Sequence, residues 1–217
     1  MLRHEGAIRI VVGGVRANGG RARSGGIIVF CSLLVHSKVR STRKEGEEGG
    51  RIMQPLSIAD QRYLRAGEGW LELGSWQEAK KELDCISPQM REHPAVLCAR
   101  WNALAAAQQW ELAAQLARKL SELAPKLPFG WIQLAHSLHA MKRTEEARNI
   151  LLPLVDKFPG QCLMRYKLAC YACQLGKLDE ARDWLKGVMN LADSSEIEKI
   201  ALGDPDLKPL WPDIRNL

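Results

Sequence analysis

The sequence predicts an all-α fold: an α-solenoid of four helix-turn-helix repeats closed by a C-terminal capping helix. Three observations predict it. The stretch "GSWQEAKKEL" at residues 74–83 is echoed three times at a spacing of 34 residues, by "QQWELAAQLA" from Gln108, "KRTEEARNIL" from Lys142 and "GKLDEARDWL" from Gly176. One register position is alanine in every copy: Ala79, Ala113, Ala147 and Ala181. Within each copy the apolar residues recur at helical spacing on two short segments, which is the pattern of two packed amphipathic helices.

Residues 1–52 stand outside this pattern. They hold ten Lys or Arg against four Glu, and ten of the 18 glycines fall in residues 1–50. Their only apolar run, "IIVFCSLLV" from Ile27 to Val35, is nine residues long, about half of what a membrane span requires. No small-x-small cleavage site follows it, and the paired glycines break any amphipathic targeting helix. A disordered basic extension is expected here, with Met53 as an alternative start. Residues 53–217 hold 21 Lys or Arg against 21 Asp or Glu. The basic character of the chain therefore resides in the extension, and the body does not suggest a nucleic-acid partner. Six cysteines in a chain without a secretory signal are expected as reduced thiols of a cytoplasmic protein, with no membrane association.

The units are 60–93, 94–127, 128–161 and 162–192, followed by a cap at 193–217. Numbering each unit from 1, positions 4, 7, 8 and 11 share a face of a first helix, and positions 20, 24 and 27 share a face of a second. Position 24 is Leu83, Ala117, Leu151 and Leu185; position 27 is Ile86, Leu120, Leu154 and Val188. Small residues at positions 8 and 20 let the two helices approach closely. A turn is expected near position 15, where Gly74 and Gly176 suit a left-handed conformation. Unit two carries Arg100 and Trp101 at positions 7 and 8, so its first helix is expected to rotate or shift. Pro153 removes a hydrogen bond from the second helix of unit three and is expected to bend it. Ser195 with Glu198 reads as a capping box, Gly203 as a stop, and Trp211 is expected to fold back onto that last helix. A single hairpin cannot bury its apolar face, so the units stack.

The length of 34, alanine at position 20, Gly67, Ala135 and Ala169 at position 8, Trp76 and Trp110 at position 17, and Pro125 and Pro159 at position 32 resemble the tetratricopeptide repeat family. The resemblance covers about residues 57–192. The ending "DPDLKPLW" resembles that of many bacterial tetratricopeptide proteins.

No nucleotide-binding, nucleophile-elbow or metalloprotease motif is present in the sequence. The paired carboxylates of "KRTEEAR" and "LDEAR" have the spacing of ordinary helix ion pairs, so a non-enzymatic protein is expected. The tetratricopeptide resemblance implies that a peptide binds along the inner face of the first helices, formed by positions 2, 5, 9, 12 and 13. That face includes Leu64, Cys98, Phe129, Ile132, His136, His139, Leu163, Tyr166, Cys170 and Cys173. These positions are expected to face solvent, and an exposed apolar and aromatic patch marks an interaction site. The face has no Lys or Arg, so an apolar or amphipathic protein segment is the expected partner rather than a terminal carboxylate. Occupation of the groove by the chain itself, or self-association, is the alternative. No cofactor is required. His136 with His139, and Cys170 with Cys173, form two i, i+3 pairs one repeat apart. Together they have the composition of a tetrahedral zinc site, a further expectation.

Overall fold

The computed structural model describes residues 54–215 and residue 217. The expected disordered extension over residues 1–52, and Met53, lie outside them. Among the described residues there are ten α-helices and no strands. In chain order they are α1 (Ile58–Glu72), α2 (Trp76–Asp84), α3 (Pro94–Ala106), α4 (Trp110–Leu123), α5 (Pro128–Ala140), α6 (Thr144–Leu151), α7 (Cys162–Gln174), α8 (Leu178–Met189), α9 (Ser194–Gly203) and α10 (Trp211–Ile214). The fold is an α-solenoid of tetratricopeptide-like hairpins with a C-terminal capping helix. The described chain forms two compact units, 54–147 and 148–217.

The 34-residue period is a property of the backbone as well as of the sequence. First helices begin at Pro94, Pro128 and Cys162, and second helices at Trp76, Trp110, Thr144 and Leu178. Each turn between them has one residue in the left-handed region: Gly74 (φ 77°), Gln108 (φ 58°), Lys142 (φ 66°) and Gly176 (φ 75°). Glycine adopts this conformation without a Cβ clash. Gln108 and Lys142 adopt it at a cost of about 1 kcal/mol, because the turn leaves no other route into the next helix.

In residues 54–147, α1 packs on α2 and α3 on α4, with α2 against α3 and α4 against α5; α1, α3 and α5 also lie side by side. Leu64, Leu83, Ile86, Val96, Ala99 and Ala103 form one core, and Leu97, Cys98, Leu120 and Phe129 a second. The alanines at position 20 are 0% exposed in all four repeats. Position 8 opposes position 24: a Cβ built on Gly67 would meet Leu83 Cγ at 2.9 Å.

Unit two keeps its register. Helix α3 is neither shifted nor shortened, contrary to the expectation from Arg100 and Trp101. Large and small residues are exchanged instead: Trp101 at position 8 matches Ala117 at position 24, where the other repeats place Gly67, Ala135 or Ala169 with leucine. Trp101 is buried and donates its Nε1–H to Ser137 Oγ at 3.0 Å. Arg100 Nη2 donates to the Leu83 carbonyl at 2.8 Å and pairs with Asp84 at 3.1 Å, tying α3 to the end of α2.

In residues 148–217, α7 packs on α8, and the 3₁₀ segment Pro205–Leu210 packs on α7. Two expectations are corrected. Pro153 does not bend a continuing helix: α6 ends at Leu151 and Leu152–Leu154 follow as a 3₁₀ turn, which the missing N–H permits. The N-cap of α9 is Asp193, not Ser195. Asp193 Oδ1 accepts from Ser195 N at 2.9 Å and Glu196 N at 3.1 Å, and Ser195 Oγ donates to the same oxygen at 2.7 Å. The negative carboxylate also suits the positive end of the helix. Helix α9 ends at Gly203, and Trp211 folds back as expected, its Nε1–H donating to the Ala201 carbonyl at 3.0 Å.

Candidate peptide-binding face

The inner positions of α1, α3 and α5 fall within one compact unit, and these helices are neighbours. Several side chains expected to face solvent there are buried. Leu64 belongs to the first core, and Cys98 and Phe129 to the second; Ile132 is also buried. The physical reason is the tight lateral stacking of first helices, which closes over positions 2 and 5. Positions 9, 12 and 13 keep partial access on α1 and α5, where Glu68, Leu71, His136, His139 and Ala140 are half-buried and Glu72 is exposed; on α3 Ala106 is half-buried, whereas Asn102 and Ala105 are buried. The His136 ring is set edge-on to Trp101 and tilted against Trp110, with both centroid distances 5.6 Å. His139 Nδ1 lies 3.0 Å from Thr144 Oγ1 across the turn.

The corresponding face of α7 is covered by the chain itself. Leu163, Tyr166, Cys170 and Cys173 are buried, not solvent-facing. The cover is the tail after α9. Tyr166 Oη donates to Asp204 Oδ2 at 2.9 Å, Cys170 Sγ donates to the same oxygen at 3.7 Å, and Gln174 Nε2 donates to the Asp206 carbonyl at 2.8 Å. Leu207 and Leu210 are fully buried in this segment. Asp204 Oδ1 accepts from Asp206 N at 3.0 Å and so caps the 3₁₀ turn it begins. Arg182 fastens the far end with two donors, Nε at 2.9 Å and Nη2 at 2.7 Å, on Asp213 Oδ2. Burial, then the nearby Cys170 and Asp204, push the Tyr166 hydroxyl well above the ordinary phenol range. Burial, then the Asp204 carboxylate, push the Cys170 thiol up likewise. Both groups are therefore protonated donors at neutral pH.

The two halves of the expected zinc set lie in different compact units, His136 and His139 in 54–147 and Cys170 and Cys173 in 148–217. Burial also raises the Cys173 thiol. Among the described residues, the group of three or more His, Cys, Asp or Glu whose ligand atoms lie within 4.8 Å of one another is Cys170, Asp204 and Asp206. In that group Asp204 is already engaged by Tyr166, Cys170 and the Asp206 backbone.

One further carboxylate invites a catalytic reading. Asp60 is buried beside an open depression of about 560 Å³. It accepts from Ser87 N at 2.8 Å, Ser57 Oγ at 2.7 Å and Ser87 Oγ at 2.9 Å, and the Ser87 N–H and Ser57 hydroxyl hold it below the ordinary aspartate range. An ionised carboxylate saturated by donors locks the first hairpin and is a poor general base.

Sequence reading placed Gln174 on the inner face, at position 13 of unit four, but missed Asp204 and Asp206, which meet that face. A signal was present: Asp followed by Pro is a helix-start signature, and it places Asp204 as a cap. It does not reveal that the capped turn returns to α7.

No protein-family model matches the chain, and no curated protein matches it. Similarity appears among solved structures. A MamA structure from Desulfovibrio magneticus RS-1 aligns with a TM-score of 0.56 at 17% identity, over 75% of this chain and 97% of that one. MamA of strain AMB-1 aligns with a TM-score of 0.51 at 17% identity, over 74% and 99%. At such identity the likeness is one of fold. Among the described residues no helix is long and apolar enough to cross a membrane.

Proposed function

We propose that the chain is a non-enzymatic protein-interaction module that receives an apolar or amphipathic segment of a partner protein on the inner face of α1, α3 and α5. The observation that carries this reading is the tail on α7. Residues 204–210 lie on inner positions of a first helix as a short segment, held by side-chain donors to a carboxylate and a backbone carbonyl and by two buried leucines. The same register on α1, α3 and α5 leaves Leu71, Ala106, His136 and His139 accessible. An apolar strip flanked by Glu68, Glu72 and two imidazoles suits an amphipathic segment, with affinity from apolar burial and register from polar contacts.

Affinity capture from the source proteome, followed by titration of the captured partner's segment, tests the reading. Ile132 and Tyr166 are unsuitable for a groove variant because both are buried. Glu72→Lys with Ala106→Glu alters an exposed and a half-buried inner-face group and should weaken binding at least tenfold with an unchanged melting temperature. Equal affinity for this variant and the parent would refute the placement.

A further inference from the structure

The inner face of α1, α3 and α5 has a charge as well as an apolar strip. Glu68 and Glu72 stand on it, and none of its positions 2, 5, 9, 12 and 13 is Lys or Arg. Even with Arg65 at its border, the face is net negative. The chain itself supplies a segment of the opposite kind. The apolar run Ile27–Val35 is followed by Lys38, Arg40, Arg43 and Lys44, and no Asp or Glu falls between Ile27 and Lys44. Apolar residues followed by basic ones match an apolar strip bordered by carboxylates.

Reach permits the contact. Lys44 lies ten residues before Gln54, where the described chain begins, and ten residues span up to about 35 Å. Helix α1 starts four residues after Gln54, and its 15 residues rise about 22 Å. Lys44 can therefore stand beside Glu72 at the far end of that helix. Helix α3 is then one helix spacing away, about 8–10 Å, within reach of the chain between Arg40 and Cys31. A segment joined to its site also meets it at high effective concentration. The opposite end of the chain already behaves this way, since residues 204–210 turn back onto α7.

We propose, resting on the inner-face reading above, that residues 27–44 dock on the inner face of α1, α3 and α5 and compete there with the partner segment. The basic residues Lys38 to Lys44 lie against Glu68 and Glu72, and the run Ile27–Val35 crosses Leu71, Ala106 and Ala140. The module is thereby autoinhibited: a partner binds only by displacing this segment.

The test uses the full chain and its native Cys31. Ala106→Cys and Ala140→Cys each place a thiol on the inner face, Trp70→Cys one on the opposite side of α1, and Leu112→Cys an exposed one on α4. Mild oxidation of dilute protein, followed by peptide mapping, should join Cys31 within one chain to position 106 or 140 at least fivefold more than to 70, 112 or native Cys85. Reversing four charges, with Lys38→Glu, Arg40→Glu, Arg43→Glu and Lys44→Glu together, should abolish that preference. A labelled peptide of residues 27–44 should bind the charge-reversed chain at least tenfold more tightly than the parent, whose own segment holds the face. Links spread evenly over the positions, concentrated at 70, or formed only between two copies overturn the docking, as does equal affinity of the peptide for the two chains. A captured partner that binds parent and charge-reversed chain equally overturns the competition and leaves the inner-face reading in place. An inner-face link in a chain that captures no partner supports the docking while the inner-face reading fails.

Discussion

Replacing Trp101 by alanine removes the largest buried side chain of the second hairpin. Burying a tryptophan takes about 200 Å² from water, or about 5 kcal/mol at 25 cal/mol/Å², an upper bound. Measured truncations of buried aromatics cost roughly 3–5 kcal/mol, and the lost Nε1–H bond leaves Ser137 Oγ without its donor. Trp101→Ala alone should therefore cost about 4 kcal/mol. Ala117→Leu alone should overpack the same contact and cost about 2 kcal/mol. If Trp101 opposes Ala117 as Gly67 opposes Leu83, the two changes together recreate the pairing of the other repeats. The added leucine then fills space instead of colliding, and the double variant should be more stable than Trp101→Ala by about 1–2 kcal/mol. The coupling energy should be about 3 kcal/mol, the upper end for residues in contact. Urea unfolding followed by far-UV circular dichroism measures all four corners of the cycle. Additive effects, with coupling below about 0.5 kcal/mol, would refute the exchange of large and small residues.

Ala147→Leu should cost roughly 1–3 kcal/mol by overpacking a site that is fully buried in every repeat; an unchanged melting temperature would contradict the register. Gly74→Ala should lower stability by about 1 kcal/mol at its positive φ, whereas Lys142→Gly should be neutral or stabilising, and a reversed order would show that the turns are not equivalent. Thiol labelling with peptide mapping should find, among the described cysteines, Cys85, which is exposed, modified first, and Cys98, Cys170 and Cys173 protected until unfolding. Because the folded Cys170 and Cys173 thiols are raised, the native state holds their protons more tightly than the unfolded chain. Their contribution to stability is full below the unfolded thiol range near ~8.5 and is lost as pH rises towards the folded values. Melting temperature should accordingly fall on the alkaline side, less so in a Cys170→Ala Cys173→Ala variant.

Sequence by itself determined the helical hairpins, their period and their contacts. Ala79, Ala113, Ala147 and Ala181 are buried in all repeats because a close helix crossing admits little else, and a local rule of that kind is written in residue size. The turns at 74, 108, 142 and 176 followed the period even where Gln108 and Lys142 replace glycine, because the packing of two helices on either side overrides the local preference. Tertiary structure alone decided what covers each inner face. A helical wheel gives the direction of Tyr166 or Cys170 from its own axis; it does not say that Asp204, 38 and 34 residues later, returns to meet them. The same limit explains the zinc expectation, since an i, i+3 spacing aligns Cys170 with Cys173 on a helix but leaves open whether water, a ligand or the chain's own tail lies against them. It explains Asp193 as well: both Asp193 and Ser195 can cap, and the φ of −62° and ψ of 113° at Asp193 mark where the chain enters α9. Local periodicity is fixed by bond geometry and side-chain size within a few residues, whereas the exposure of a face depends on distant segments whose arrival is settled only when the whole chain packs.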